Sequence, residues 1–404
     1  MIAMTAIASL QYTWTLFSLP LSEGLQATLS DVQLAFTLFI LTQSWLVPFE
    51  GYLVDRLGAP IIVFAGGLLV GLGWVGSGMA GSLPALYIWY VLGGIGVGAV
   101  YGACVGAALK WFPDRRGLAA GLVVGAYGSG AALTVIPIQQ IIQERGYQAA
   151  FITWGIAQGM VVMALAWFMT APPPRWHPRR LEKSGGDPGP VRQPAVSFTP
   201  MQMARTGAFA LMYLMSTLVT FGGLVVTSQL KPIAAAYGLD KTVVGLGVNA
   251  LGLALILNLV LSGLTRPAWG WVSDQIGRYN MMAVAFGLGG LSILGLLELV
   301  RHPIWFVVFS GTTVFAWGAT FVLFSAAVGD IFGSRFATAN NGILYTSKGV
   351  ASIFAGWGAA RLLEAMDSWL PVLWVAAAGN LIAALLALFC LKPMVARVIA
   401  GAGG

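Results

Sequence analysis

The sequence predicts an all-α membrane protein of twelve transmembrane helices in two pseudo-symmetric six-helix halves, and three observations carry that prediction. Of 404 residues, 58% are apolar and 9% are charged, against about a quarter charged in soluble domains. Long uncharged runs recur from end to end, with a mean hydropathy of +0.83. A spanning helix needs about 20 residues, so twelve with short connections use almost the whole chain. Finally, separate motifs recur at nearly the same offset along the chain, which marks an internal duplication.

Taken in order, the first run, MIAMTAIASLQYTWTLFSLPL, has neither a basic leader nor a cleavage site and reads as a spanning helix. After helix 2 the chain reads PFEGYLVDRLG from Pro48. Helix 4 holds GGIGVGAVYG from Gly93, which reads as close helix packing and not as a nucleotide loop, because no strand precedes it. Helix 5 carries GLVVGAY from Gly121. Six helices fit in residues 1–172, and residues 173–204, rich in Pro, Gly and basic side chains, lack the apolar content to span and read as a linker. Six more helices fit in residues 205–404. After helix 8 the chain reads PAWGWVSDQIG from Pro267, so Gly51, Asp55 and Gly58 recur as Gly270, Asp274 and Gly277, an offset of 219 residues. Helix 10, WGATFV from Trp317, sets Phe321 opposite Tyr101 at 220, and helix 11, GILYTSK from Gly342, sets Lys348 opposite Tyr127 at 221. Duplicated halves of this kind hold a substrate site between them near the bilayer midplane.

The net charge of +7 reports orientation and not a nucleic-acid partner. Arg56, Lys110, Arg115, Arg116, Arg175, Arg179, Arg180, Lys183, Arg192, Arg205, Arg278, Arg335, Lys392 and Arg397 share the linker's side. Arg145, Lys231, Lys241, Arg301 and Arg361 are on the other. The bias predicts that both termini and the linker are cytoplasmic. Cys104 and Cys390 fall in apolar runs and predict packed thiols. His177 and His302 are far apart in loops, so no metal is expected, and neither is a cofactor. No constellation of nucleophile and base suggests an enzyme.

Two cations decide the functional reading. Arg266 and Lys348 sit inside apolar runs, where a charge costs about 2.5–3.5 kcal/mol even on insertion scales. Arg266 is eight residues before Asp274, about 12 Å up its helix, and Lys348 is about 15 Å into helix 11 at the rise of an α-helix. Glu50, Glu298 and Asp330 all read as lying near helix ends, so no carboxylate is expected at comparable depth, and the counter-charge is expected from a ligand. The symmetry partners of these cations are Val47 and Tyr127, so the repeat alone does not demand them. Gln11, Tyr12, Gln33, Tyr101, Tyr127, Trp317, Phe321 and Tyr345 supply hydroxyl, indole and amide hydrogens to orient a carboxylate and ring faces to exclude water. The paired glycines and aspartates, Gly51, Asp55, Gly58, Gly270, Asp274 and Gly277, read as a conformational motif in which glycine permits close helix approach.

QYTWTL from Gln11, VQLAFTL from Val32, VYG from Val100, WFPDRRGLAAG from Trp111, AYG from Ala126, RPAWGWVSDQIGRY from Arg266, IFG and SKGVASIF together resemble the bacterial oxalate:formate antiporter family of the major facilitator superfamily, related to monocarboxylate transporters. The resemblance covers nearly the whole chain. It implies that Arg266 and Lys348 bind a small dicarboxylate inside an aromatic cage built from Gln11, Tyr12, Gln33, Tyr101, Tyr127 and Trp317. Two positions depart from the family's cage: Phe321 stands where a tyrosine is expected and Tyr345 where a tryptophan is expected. The expected protein is a monomeric carrier in the bacterial inner membrane, exchanging oxalate or a similar acid for formate or another small carboxylate. Two other readings stay open. A proton-coupled monocarboxylate carrier would resemble relatives with an aspartate one turn before the arginine, where this chain has Ser262; a non-transporting sensor would bind the same acids.

Overall fold

The computed structural model describes residues 1–111, 116–170, 198–245, 247–333 and 336–395. Twelve spans run through them. Helix α1 is broken into Ile2–Ile7, Ser9–Tyr12 and Trp14–Gly24, and α2 into Leu29–Trp45 and Val47–Leu57. Helices α3 and α4 are Ala59–Gly78 and Leu83–Trp111. Helix α5 begins as Arg116–Gly130 and passes through the tight turn Ala131–Leu133 into Val135–Ala166; at Gly146, with φ +83°, the chain turns, and the residues beyond it form α6. Helix α7 is Gly207–Ala236, α8 Ala250–Ile276, α9 Arg278–Leu299 and α10 Pro303–Phe332. Helix α11 comes in four pieces, Ala337–Tyr345, Ser347–Ser352, the wide π turn Ile353–Gly358 and Ala359–Met366, and α12 is Leu370–Leu386 with the π turn Ala387–Leu391.

By length and composition, eight stretches among the described residues suffice to cross a membrane. One of them, Gly121–Ala166, holds both α5 and α6; with the broken α1, α2 and α11 the total is the expected twelve. The chain departs from helix in a small antiparallel ribbon, Val243–Gly245 with Val248–Asn249, between α7 and α8. The end of the segment read as linker is also structured: Pro200–Ala204 is a short helix closed by a capping box between Thr199 and Gln202. Just before it, the Phe198 amide donates to Phe332 O and the Asn340 side chain donates to Phe198 O.

Local sequence explains the boundaries. Thr28, Thr206 and Asn249 cap α2, α7 and α8 by accepting from the backbone three residues on, and Pro occupies the first turn of α3, α10 and α12, where its missing N–H costs nothing. Gly58 and Gly277 turn the chain from α2 to α3 and from α8 to α9 with matching dihedrals, φ +85°, ψ 152° and φ +90°, ψ 144°. Only glycine takes that conformation without strain. Within the first half, small residues let backbones meet: a Cβ on Gly96 would lie 2.6 Å from Gly66 O, and one on Gly159 2.9 Å from Gly71 Cα. In lipid this close packing replaces the hydrophobic drive that water supplies elsewhere.

Because the number of spans is even, both described ends of the chain lie at one end of the bundle, called here the terminal end. The far end is closed between the halves. Ser30 donates through N and Oγ to the Glu364 carboxylate, each at 2.9 Å, and Arg361 stands 3.9 Å from Asp31. Deeper in, Gln33 Nε2 donates to Gln229 Oε1 at 2.9 Å, Thr37 Oγ1 to Ser352 O at 3.0 Å, and Lys231 Nζ to Leu16 O at 2.9 Å.

Candidate functional site

Four helices converge on Lys348, and three of them are interrupted nearby. Helix α11 breaks at Thr346, two residues before the lysine, α1 breaks at Ala8 and Thr13 on either side of Gln11, and α2 breaks at Leu46, three residues after Gln43. Irregular helix within a membrane persists where it lines a site or is bonded by protein. Here Trp45 Nε1 takes up the Thr346 carbonyl at 3.1 Å, and Thr13 Oγ1 returns to Ser9 O at 2.8 Å.

Lys348 is 3% exposed. Its ammonium donates to Gln11 Oε1 and Gln43 Oε1, both at 3.0 Å, and to Tyr345 Oη at 3.3 Å. Tyr127 closes the circuit, its hydroxyl donating to Gln11 Oε1 at 2.8 Å and accepting from Gln43 Nε2 at 2.7 Å. Every partner in this ring is neutral. Arg266, 4% exposed, lies across the aromatic wall: its guanidinium carbon is 5.5 Å from the Phe321 centroid, Phe321 is 6.1 Å from Tyr345, and Lys348 Nζ is 5.4 Å from the Tyr345 centroid. Cations over ring faces gain modestly from the ring quadrupole.

Among the described residues, Arg266 Nε and Nη1, Gln11 Nε2 and Trp317 Nε1 are buried donors without an acceptor, although buried polar groups are normally paired. The described ion pairs are Arg278 with Asp330 and Arg361 with Asp31 and Glu364; neither Arg266 nor Lys348 belongs to one. The arrangement can therefore accept a group rich in acceptors and negative charge.

The other expected residues divide. Tyr12, Tyr101 and Tyr127 form one cluster, with Tyr12 5.6 Å and Tyr101 5.4 Å from Tyr127, and Tyr101 stacks on Tyr345 at 6.2 Å. Tyr12 also lines a small cavity with Thr227, Leu255, Asn258 and Val314. Trp317 packs against Gly223 and touches Phe321 at 5.4 Å. Gln33 is elsewhere: it accepts from Trp14 Nε1 at 2.8 Å and donates across to α7, so its amide is used in the far-end closure. Gln43, which sequence reasoning missed, stands in the ring instead. Its signal was an amide in an apolar run, the same signal that Gln11 and Gln33 gave.

Gly58 and Gly277 form the matched corners described above, and a Cβ on Gly270 would come 3.2 Å from Val322. The side chains of Asp55 and Asp274, and the surroundings of Gly51, lie outside the described residues, as do His177 and most of the linker. One expectation needs correcting. Glu50 is not at an exposed helix end: α2 continues to Leu57, and Glu50 is 5% exposed because Gly98 of α4 leaves room for its carboxyl. It forms no described ion pair with either cation.

A family model described as Major Facilitator Superfamily matches residues 1–257 and 226–402. The oxalate:formate antiporter of Oxalobacter formigenes is 34% identical over 396 residues, covering 97% of this chain and 90% of that protein. Monocarboxylate transporter 11 of Mus musculus is 27% identical, covering 87% of this chain and 73% of its own length. Among solved structures, the peptide transporter POT in complex with sulfate shares the fold, with a TM-score of 0.70 and 16% identity, covering 98% of this chain and 94% of that one.

Proposed function

Because the chain belongs to the Major Facilitator Superfamily, we propose that it exchanges small carboxylate anions across the membrane by alternating access, with Arg266 and Lys348 as the anion site. It is a multi-pass membrane carrier and not an enzyme. One observation carries the choice of an anion: two buried cations and unpaired N–H donors share a site with no carboxylate among the described residues. A carboxylate is acceptor-only and answers both deficits at once.

In this reading Lys348 and Arg266 hold the two ends of a dianion such as oxalate, while Gln11 Nε2 takes a further oxygen. Tyr101, Tyr127, Phe321 and Tyr345 wall the site, and a low local dielectric strengthens the attraction. Without a guest the two positive charges oppose each other, which disfavours closure of both ends. Binding removes that opposition, so the loaded carrier reorients and the empty one does so slowly. Exchange follows, with formate or another small carboxylate returning. The similarity to the antiporter of Oxalobacter formigenes supports this substrate pair. The basic bias of the linker side supports cytoplasmic termini, and a bacterial inner membrane is the setting we assign.

The similarity to monocarboxylate transporter 11 and the buried Glu50 favour one alternative, proton-coupled monocarboxylate carriage. Counterflow of labelled oxalate in proteoliposomes, competed with formate, malonate, lactate and larger acids, separates the two. Exchange that needs an internal carboxylate and no pH gradient supports the antiporter; uptake driven by a pH gradient alone overturns it.

A further inference from the structure

Glu50 is the one acidic side chain that is buried among the described residues, and neither of its carboxylate oxygens has a hydrogen-bond partner among them. It lies on the second piece of α2, Val47–Leu57, against α4 at Gly98, where a Cβ would meet the two oxygens at 2.7 and 2.8 Å and Gln43 O at 3.1 Å. Gln43, whose amide bridges Lys348 and Tyr127, is two turns back on the same helix. Nothing in the anion site as described uses Glu50.

The elements around it offer no counter-charge among the described side chains. Helix α4 carries Tyr87, Tyr90, Tyr101, Cys104 and, twelve residues beyond Gly98, Lys110, whose side chain lies outside the described residues; α3 carries none, and the first piece of α11, Ala337–Tyr345, brings only Tyr345. On α2 itself Asp31 is bonded at the far end, Arg56 is exposed toward the terminal end, and the side chain of Asp55 lies outside the described residues. A buried carboxylate with neither donor nor cation pays its full desolvation, whereas the neutral acid does not.

We propose that Glu50 is a proton-binding site, occupied in this conformation, whose release of the proton is linked to opening of the terminal end. The first piece of α11 packs on the second piece of α2, so parting of the halves there exposes this stretch to water, where the carboxylate becomes affordable. Acidity on that side then holds the terminal end shut. The protonation stands on the burial and the missing partners alone; its effect on transport rests on the carrier reading above.

Infrared difference spectroscopy of the full chain in proteoliposomes tests the first part. A protonated-carboxyl stretch is expected at neutral pH that Glu50→Gln removes. Its absence, or its persistence in the variant, overturns the proposal. Since glutamine matches the neutral acid in shape, the variant should melt with the wild type; a large fall in melting temperature would mean that the carboxylate is paired and also overturns it. Where the wild type exchanges labelled oxalate, its rate should fall several-fold as the terminal-side pH is lowered, and Glu50→Gln should be slow and flat with pH. A variant profile that tracks the wild type refutes the linkage. Failure of all carboxylate exchange would sink the carrier reading instead, and the carboxyl stretch would still decide the proton site.

Discussion

Replacing Lys348 with glutamine removes one of the two site cations while leaving a side chain that can donate to Gln11 Oε1 or Gln43 Oε1. A charge pair at about 4 Å is worth about 4 kcal/mol at an effective dielectric of 20. Part of this is returned, since burying the lysine in the empty carrier is itself unfavourable. A net loss of about 2–3 kcal/mol corresponds to an affinity for oxalate weaker by about 30- to 150-fold. Formate, with one charge, can remain against Arg266 and should lose less. Binding is measured by titration calorimetry on the purified protein in nanodiscs, and exchange by counterflow in proteoliposomes. Equal affinities of wild type and K348Q for oxalate, or equal losses for oxalate and formate, would refute the two-cation clamp.

Other sites give further tests. A Cβ on Gly128 would stand 2.8 Å from Ser262 Oγ, 2.9 Å from Ser262 O and 3.1 Å from Arg266 Nη1, so Gly128→Ala must shift α8; oxalate affinity is expected to fall about tenfold or more, a loss on the order of 1.4 kcal/mol, read by the same calorimetry. Glu364→Gln weakens the charge-assisted bonds from Ser30, worth about 1.5–3 kcal/mol together with their charge. Thiol labelling of a cysteine introduced at the far end should accelerate, and an unchanged rate would show that this contact does not hold the end closed. Phe321→Tyr adds a hydroxyl to the ring that faces Arg266; competition assays should show oxalate favoured over larger acids by about fivefold, the value of one hydrogen bond near 1 kcal/mol.

Depth along a helix was legible in the sequence, and azimuth was not. Arg266 and Lys348 announced themselves because a charge in an apolar run is costly wherever it faces. The glycine corners at Gly58 and Gly277 were legible because the chain repeats them, and they share one backbone conformation. Gln33 and Gln43 show the limit. Both are amides on α2, and only the packed bundle reveals that one closes the far end while the other joins Lys348 to Tyr127. Glu50 shows a related limit: it reads as lying near a helix end, but its burial depends on a glycine in another helix, a contact that sequence order does not encode.

The contacts that join the halves are made largely by main-chain atoms. Thr346 O, Ser352 O, Ser228 O, Leu16 O, and the amides of Ser30, Lys231 and Trp357 all bond to side chains of the opposite half. Leu16 O and Ser228 O have a proline four residues on, Pro20 and Pro232, and so lack the usual helical donor; a peptide group cannot stay unbonded in oil, so parting of the halves there must draw in water and rejoining must expel it. Turnover is thus a cycle of wetting and drying, and osmotic stress imposed by an excluded solute should slow it even when the passenger and its gradient are unchanged.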